Sequence, residues 1–230
     1  MNEISVGGFV PLTTIDYPDH LAAVIFCQGC PYQCHYCHNP NLISRTDSSE
    51  LTWSMIKKFL LKRKGLLEAV VFSGGEPTLQ SNLFEAISYT KKLGFKVGLH
   101  TSGSYPLRFK KLLPILDWVG FDVKASIDEY HNVTTVKKSG IKAYESLRLL
   151  LESDVVYEIR TTIHPKLHSK EQIMEMAAGL REMGVINYKL QKFREEGCNN
   201  SYLKSFSLSE YITTEDISKL RSYFQQFAII

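Results

Sequence analysis

Short apolar or β-branched runs alternate along the chain with segments whose apolar residues recur at helical spacing. The runs that predict strands lie at residues 22–26, 69–72, 96–100, 118–123, 155–163 and 188–192. Several of them are almost continuously apolar, as strands buried on both faces of a sheet are. Strands of this kind separated by helices indicate an α/β protein with a parallel sheet and right-handed connections.

Capping signals mark the helices between these strands. Thr52 can cap a helix that runs to about Lys64 before Gly65, and Ser169 forms a capping box with Gln172. Further helical segments are predicted at residues 82–92, 139–152 and, as the last element of the chain, about 213–228.

Six predicted strands are too few for the eight strands of a complete (β/α)8 barrel. The predicted architecture is therefore an open, partial (β/α)6 barrel. We expect residues 1–230 to form one domain, because no repeat, low-complexity stretch or linker interrupts the chain. Single α/β domains of about this length are common.

Composition excludes some classes of function. The chain has 27 Lys and Arg against 24 Asp and Glu, a net charge of +3 that is too small to indicate a nucleic-acid binder. Residues 1–8 contain neither the basic segment nor the apolar segment of a secretory signal. The longest clean apolar run, residues 21–27, is too short to cross a bilayer. We therefore expect a cytoplasmic protein without membrane or nucleic-acid partners.

Four of the five cysteines are crowded into eleven residues. They are Cys27, Cys30, Cys34 and Cys37, whereas Cys198 stands alone. An odd total of cysteines, four of them in one short segment, argues against a disulfide framework, and in a cytoplasmic protein it indicates metal or redox chemistry. Cys30, Cys34 and Cys37 have the spacing C-x3-C-x2-C and follow the first predicted strand. Parallel α/β barrels carry their active sites at that end of the strands.

The residues alone leave three interpretations of this loop open. Three thiolates can hold three irons of a cubane cluster and leave the fourth iron free for a substrate. A structural zinc site is the second interpretation, although such sites usually pair two separated C-x2-C knuckles and no second knuckle follows. The third adds Cys27 as a fourth ligand, which would make the protein an electron carrier without an open iron.

Polar or small residues follow two more of the predicted strands. Gly74, Gly75 and Glu76 come after the second strand, where glycines allow a close backbone approach to a ligand and Glu76 supplies a carboxylate for an ammonium group. A plain turn between strand and helix is the alternative. Asp122 and Lys124 lie two residues apart at the end of the fourth strand, so both side chains can face the barrel interior. They are either functional residues or a structural ion pair.

The third and fifth strands supply the remaining candidates. His100 and Thr101 end the third strand, and His100 is as readily a satisfied core histidine as a ligand-binding residue. Arg160 lies on the fifth strand. Because an arginine that faces the interior is costly unless it is paired, we expect a carboxylate partner for it.

The cysteine loop resembles the signature of radical S-adenosylmethionine (SAM) enzymes, C-x3-C-x-aromatic-C, with Tyr36 as the aromatic residue. Its continuation, residues 37–40 with the sequence Cys-His-Asn-Pro, is similar to the activating enzymes of glycyl-radical enzymes. The stretches at residues 7–9, 15–18, 22–26 and 28–30 resemble one group of these, the activating proteins of anaerobic ribonucleoside-triphosphate reductases, whereas Cys27 departs from the pattern of that group.

This resemblance implies two cofactors and their binding residues. Cys30, Cys34 and Cys37 would hold a [4Fe–4S] cluster and are also the predicted catalytic residues. The residues expected to contact SAM are Tyr36, Gly74, Gly75, Glu76, His100, Thr101, Asp122, Lys124, Arg160 and Ile163. Among them the glycine turn would bind the amino group of SAM and Lys124 its carboxylate, while Ile163 would line the adenine or ribose pocket or belong to the core.

One detail of the implied site stays open. His100 stands roughly where activators of the pyruvate formate-lyase type carry an aspartate that helps to bind a monovalent cation. Whether this chain keeps such a cation site is not decided by its sequence.

The resemblance also implies a reaction. The reduced cluster would donate one electron to SAM, giving methionine and a 5′-deoxyadenosyl radical. That radical would take a hydrogen atom from a glycine Cα of anaerobic ribonucleotide reductase, with flavodoxin or a ferredoxin-like protein as reductant. The alternatives are a different glycyl-radical partner, such as pyruvate formate-lyase, a small-molecule or peptide substrate, and the electron carrier described above.

Overall fold

A single sheet of eight strands, which lie side by side in the order of the chain, forms the centre of the structure. The computed structural model describes residues 3–46 and 50–230. The strands are β1 (Val6–Thr13), β2 (Ala22–Cys27), β3 (Ala69–Gly74), β4 (Lys96–Thr101), β5 (Trp118–Asp122), β6 (Val156–Ile163), β7 (Asn187–Lys192) and β8 (Gln226–Ile229). β1 is antiparallel to β2, and each later pair of neighbours is parallel.

The predicted α/β class is confirmed, and the six predicted strands are β2 to β7. The predicted domain, residues 1–230, includes residues 1–2 and 47–49, which lie outside the described residues. The sheet also has two strands that were not predicted, one at each end. β1 was missed because its two glycines and Pro11 interrupt the strand pattern.

The prediction of a helix over residues 213–228 is wrong for its last residues. The helix ends at Tyr223, and Gln226–Ile229 forms β8 beside β7. The rings of Phe224 and Phe227 lie 4.8 and 6.0 Å from the ring of Tyr188. Packing and strand pairing against β7 therefore override the helical pattern of this segment.

Eight helices occur in residues 3–46 and 50–230, and all of them lie in the connections between strands. They are α1 (Trp53–Lys62), α2 (Leu83–Lys92), α3 (Pro106–Leu112), α4 (Tyr130–Thr134), α5 (Ser139–Leu151), α6 (Lys170–Glu182), α7 (Leu208–Tyr211) and α8 (Thr214–Tyr223). Thr52 caps α1 and the capping box of Ser169 and Gln172 starts α6, as predicted. None of the helices in the described part of the chain has the length and apolar character that a membrane span requires.

Successive strand residues belong alternately to two apolar cores. Ala23 and Ile25 of β2 pack in the large core with helix residues, whereas Val24 packs in a small interior core with Tyr17 and Trp118. The two-residue period of a strand explains this division. Tyr17 precedes β2 and Trp118 begins β5, so their rings, 5.4 Å apart, close the interior at the amino ends of the parallel strands.

Replacing Ser169 by alanine should lower the free energy of unfolding by about 1 kcal/mol, the usual cost of losing an N-cap side chain. The Ser169 hydroxyl accepts a hydrogen bond from the Gln172 backbone N–H, and the Gln172 side chain accepts one from the Ser169 N–H. We expect a lower urea midpoint with an unchanged slope.

Ser54→Ala is the matched control for this variant. Ser54 is exposed inside α1, where alanine has the higher helix propensity, so its stability should not fall. Equal losses in the two variants would contradict the role of the cap.

Candidate active site

A cavity of about 470 Å³ lies at the carboxyl ends of the parallel strands. It is lined by most of the residues that the sequence singles out, namely Cys30, Cys34, Tyr36, Cys37, Gly74, Gly75, His100, Thr101, Asp122, Lys124 and Arg160. These residues come from the cysteine loop and from the ends of β3 to β6. Two of the thirteen predicted site residues, Glu76 and Ile163, are not part of this lining.

Backbone hydrogen bonds hold the cysteine loop on two sides. The N–H of Gly29 donates to the carbonyl of Leu42 over 2.8 Å, which closes the loop on itself. The N–H groups of Gln33 and His35 donate to the carbonyls of Thr134 and Val133, in α4. These hydrogen bonds fix the path of the loop on both sides.

The chemistry of the three cysteines fits an iron–sulfur cluster. Burial raises the pKa of Cys30 to about 12 and also raises the pKa values of Cys34 and Cys37. Buried thiols of this kind become thiolates when metal charge compensates the loss of hydration. Among the described residues, no three His, Cys, Asp or Glu side chains converge as one metal ion requires. A cubane instead takes each cysteine on a different iron.

Cys27 lies on the other face of the sheet. It packs with Ala23 and Ile25 in the large core, while its neighbour Phe26 lines the cavity. Because successive side chains of a strand point to opposite faces, the thiol of Cys27 is directed away from the cavity. This geometry disfavours Cys27 as a fourth cluster ligand.

The two glycines after β3 pack against the backbone at the start of the cysteine loop. A Cβ at Gly74 would lie 2.4 Å from the nitrogen of Cys27, and one at Gly75 would lie 2.3 Å from the oxygen of Gly29. Gly74 also has a φ of 117°, a conformation that favours glycine. The Gly75 N–H donates to the Cys27 carbonyl over 3.0 Å. The glycines thus join the turn to the cysteine loop, and both line the cavity.

The sequence suggests that the carboxylate of Glu76 is available to an ammonium group, but in the structure this carboxylate already has hydrogen-bond partners. The side chain is 1 % exposed and accepts five hydrogen bonds. Two come from Thr78, one from the hydroxyl of Thr101, and two from the backbone and hydroxyl of Ser102. Glu76 therefore ties the turn after β3 to the end of β4, and the donors of the protein take up its oxygens.

Asp122, Lys124 and Arg160 form a charged group on one wall of the cavity. The Arg160 Nε donates to Asp122 Oδ1 over 3.0 Å, so the expected carboxylate partner of Arg160 is Asp122. The Lys124 Nζ lies 3.9 Å from Asp122 Oδ2 and 5.5 Å from the ring centre of Tyr36. Asp122 and Lys124, the two residues predicted at the end of this strand, thus form a network of three charges with Arg160.

Opposite charges keep this group ionised despite burial. Burial alone would raise the pKa of Asp122, but Arg160 and Lys124 outweigh it, so the net shift is downward. Burial alone would lower the pKa of Lys124, but Tyr36, Cys34 and Asp122 raise it well above its usual value. At neutral pH the cavity wall therefore presents a buried ammonium and a guanidinium against one carboxylate.

His100 combines both roles that the sequence left open, because it lines the cavity and is also hydrogen-bonded within the protein. One ring nitrogen lies 3.1 Å from the carbonyl of Asp16, to which it donates, and the other lies 3.3 Å from the hydroxyl of Ser73. Burial and the positive charge of Arg160 lower the pKa of His100 to about 3. His100 is therefore neutral at neutral pH.

The prediction that Ile163 lines the ligand pocket is wrong. Ile163 is fully buried in the large core with Ile159, on the face of β6 that packs against helices. Thr162, two residues from Arg160, lines the cavity in its place, together with Gln191 of β7. The two-residue period from Arg160 was the signal that could have found Thr162.

Other cavity residues were not predicted as site residues. They are Asp16, Phe26, Tyr32, His38, Asn39, Ile43, Ser73, Ser102, Arg194 and Glu196. Several adjoin the motifs, so their position in the sequence was a usable signal. Arg194 and Glu196 lie in an irregular segment after β7, and only the tertiary structure brings them to the cavity.

Comparisons with known proteins show the family of the chain. Residues 24–180 match the model of the radical SAM superfamily. The chain is 31% identical over 225 residues to a protein of Methanocaldococcus jannaschii named as a glycyl-radical enzyme activating enzyme, across 94% of this chain and 90% of that protein. It is 32% identical over 164 residues to the pyruvate formate-lyase-activating enzyme of Clostridium pasteurianum, across 68% of each.

Solved structures share the fold at low sequence identity. SuiB of Streptococcus suis bound to S-adenosylmethionine matches 88% of this chain with a TM-score of 0.66 and 16% identity, and this chain spans 48% of SuiB. QueE of Escherichia coli matches 99% of this chain, and 94% of its own, with a TM-score of 0.60 and 17% identity.

The chain therefore belongs to the radical SAM superfamily. Its curated relatives include glycyl-radical enzyme activating enzymes, which confirms the resemblance to that broader group of enzymes. Enzymes of this superfamily use a [4Fe–4S] cluster and SAM, so the predicted class of enzyme and both predicted cofactors are confirmed.

Gly75→Ala should destabilise the protein by about 1–3 kcal/mol, the usual cost of overpacking. The new Cβ would meet two backbone oxygens, those of Gly29 and Leu42, at 2.3 and 2.8 Å, and neither can move alone. We expect a lower urea midpoint and less iron bound after anaerobic reconstitution. Gly179→Ala is the control, because nothing lies within 4 Å of its added Cβ in α6, and there alanine should stabilise by about 0.5–1 kcal/mol.

Cys27→Ala should keep its iron, whereas Cys30→Ala should lose it. The first thiol faces the large core and the second lines the cavity. Iron and sulfide content after anaerobic reconstitution measures the difference. Loss of the cluster in Cys27→Ala, in a variant that still unfolds cooperatively, would revive the four-cysteine electron carrier.

Proposed function

We propose that this protein generates the glycyl radical of a partner enzyme, and that the partner is anaerobic ribonucleoside-triphosphate reductase. One observation carries the proposal. A single cavity joins three cysteines to the charged group of Asp122, Lys124 and Arg160, in a chain whose relative over 94% of its length is named as a glycyl-radical enzyme activating enzyme. When bound, the cluster and SAM supply the electron and the radical that removes a hydrogen atom from a glycine Cα.

The residues of this chain would bind and orient the two cofactors. Cys30, Cys34 and Cys37 would hold the cluster. The buried ammonium of Lys124 is charged and lies 3.9 Å from the carboxylate of Asp122, so we assign the binding of the SAM carboxylate to this ammonium. Because the oxygens of Glu76 are already occupied, the backbone of the glycine turn is the proposed partner of the amino group of SAM.

The surroundings of the cavity would orient these groups and exclude water. Arg160 holds Asp122 beside Lys124, so it is proposed as a positioning residue for that lysine. The neutral ring of His100 adds no charge to the floor of the cavity, and the rings of Tyr17 and Trp118 close the barrel below it. A reactive carbon radical survives only where solvent is excluded.

The choice of partner rests on the stretches at residues 7–9, 15–18, 22–26 and 28–30, which resemble the activating proteins of anaerobic ribonucleotide reductases. Pyruvate formate-lyase is the second candidate, since one relative with 32% identity activates it by name. We further propose a flavodoxin or ferredoxin-like protein as reductant, a cytoplasmic location, and a single domain over residues 1–230.

Anaerobic mixing of the reconstituted protein, SAM, dithionite and anaerobic ribonucleotide reductase should produce a glycyl-radical EPR signal on the reductase. A parallel sample contains pyruvate formate-lyase instead, and 5′-deoxyadenosine is quantified in both. Cys30→Ala is the negative control. A signal only on pyruvate formate-lyase would replace the proposed partner, and 5′-deoxyadenosine without a radical on either enzyme would contradict both candidates.

A further inference from the structure

The end of β4 carries His100 roughly where activators of the pyruvate formate-lyase type have an aspartate that helps to bind a monovalent cation. A cation such as K⁺ is held by oxygen atoms that replace its hydration shell. Whether the residues of this chain fit such an ion therefore depends on how the polar atoms around His100 are already used.

Both ring nitrogens of His100 have partners within the protein. Nε2 lies 3.1 Å from the carbonyl of Asp16, to which it donates, and Nδ1 lies 3.3 Å from the hydroxyl of Ser73. One nitrogen thus carries the proton and the other accepts a hydrogen bond, so the ring has no lone pair to offer a metal ion. An aspartate at this position would bring two oxygens and a negative charge, and the neutral ring brings neither.

Oxygen atoms of β4 and β5 are engaged as well. The hydroxyl of Thr101 donates to the carboxylate of Glu76 over 2.6 Å and accepts a hydrogen bond from the N–H of Gly103 over 3.0 Å. The carbonyl of Gly120 accepts a hydrogen bond from a terminal nitrogen of Arg160 over 3.4 Å. A cation would have to compete with these donors for its ligands.

The guanidinium of Arg160 lies among the same groups. Its Nε donates to Asp122 Oδ1 over 3.0 Å, and a terminal nitrogen lies 3.5 Å from Nε2 of His100. Gly120 makes room for it, because an added Cβ there would lie 3.0 Å from Cζ of Arg160 and 2.9 Å from Cδ2 of His100. The arginine therefore holds a positive charge between β4 and β5, beside the carboxylate of Asp122.

The charges on this wall are balanced without a bound ion. Nitrogens of Arg160 and Lys124 lie 3.0 and 3.9 Å from the two oxygens of Asp122. A guanidinium does not lose its proton in a protein, so its charge is permanent. A further cation would meet two positive charges and one carboxylate that is already paired. The residues present do not fit a monovalent cation.

We propose that the guanidinium of Arg160 takes the place of a monovalent cation in this active site, so that SAM binding and cleavage do not depend on K⁺ or Na⁺. The inference rests on the proposed function only in that SAM is assigned to this cavity. It gives Arg160 a role beyond holding Asp122, because the side chain also supplies the charge that an exchangeable ion would otherwise bring.

SAM binding in three buffers tests the proposal directly. The reconstituted wild-type protein is dialysed against SAM in K⁺, in Na⁺ and in tetramethylammonium, an ion too large for a site built for K⁺. The formation of 5′-deoxyadenosine is measured in the same buffers, with photoreduced deazaflavin as a reductant that adds no Na⁺. We expect the Kd to agree within about twofold, and binding that is about tenfold or more tighter in K⁺ or Na⁺ would overturn the proposal.

Arg160→Gln provides a second test, because it removes the charge and keeps a polar side chain. In tetramethylammonium its Kd for SAM should rise by about tenfold or more, since removing one member of a buried charge pair leaves the other uncompensated. K⁺ should recover much of this loss by binding beside Asp122. Arg160→Lys is the matched control, because it keeps the charge and should stay independent of K⁺.

Iron content and cooperative urea unfolding show whether these variants are folded. Unchanged SAM affinity of Arg160→Gln in tetramethylammonium would contradict the proposal. A loss that K⁺ does not reverse would assign Arg160 a structural role and contradict it as well. If Arg160→Gln does not fold, the comparison of buffers with the wild-type protein decides alone.

The fate of the proposed function is measured separately. A wild-type protein that cleaves SAM equally in the three buffers but places no radical on either partner enzyme removes the proposed function and leaves this inference standing. Radical transfer to a partner together with K⁺-dependent SAM binding does the reverse.

Discussion

The contact between the turn after β3 and the start of the cysteine loop is the constraint on which the site depends. Gly75 lies where any Cβ would strike the carbonyl of Gly29, and the N–H groups of Gly75 and Glu76 donate to the carbonyls of Cys27 and Gly29. The loop that carries the cluster ligands is thus fixed by main-chain groups, which have fewer ways to move than side chains. Glu76 extends this contact to a further strand, because its carboxylate accepts hydrogen bonds from hydroxyl and backbone groups at the end of β4. Three successive strand ends are held in one arrangement, and the cavity lies over them.

The charges around the cavity suit an anionic ligand group at one wall and metal ions at the cysteine loop. Lys124 and Arg160 outnumber their shared partner Asp122 on one wall, and the positive charges keep Asp122 ionised although burial opposes it. On the other side the thiols of the cysteine loop resist ionisation because of burial. Metal binding therefore releases protons from these thiols, and the affinity for the cluster depends on pH. Lys124 lowers the cost of forming the thiolates, since its positive charge acts to lower the pKa of all three cysteines.

Much of the fold and the site could be predicted from the sequence, and the failures share a physical cause. The six central strands and the capping of α1 and α6 are local properties, and the cysteine spacing is a local motif. The edge strands β1 and β8 depend on pairing with β2 and β7, which no local pattern contains. Ile163 lies three residues from Arg160, and an odd offset along a strand puts a side chain on the opposite face. For Glu76 the motif identified the residue, but its hydrogen-bond partners at residues 101 and 102 are distant in sequence and meet it only in the folded chain.

The two strands that the sequence did not predict, β1 and β8, matter for function because they form the edges of an open sheet. A closed barrel would pair its first and last strands and leave access only along its axis. Here β1 and β8 end the sheet, and the segment after β7 reaches back to the cysteine loop through the contacts of Gly197 and Asn200. This segment covers the gap beside the cluster loop without adding a strand, so the edge of β1 stays available while the active cavity keeps a wall. A substrate that is part of another protein needs both properties, because its backbone must enter while bulk water stays out.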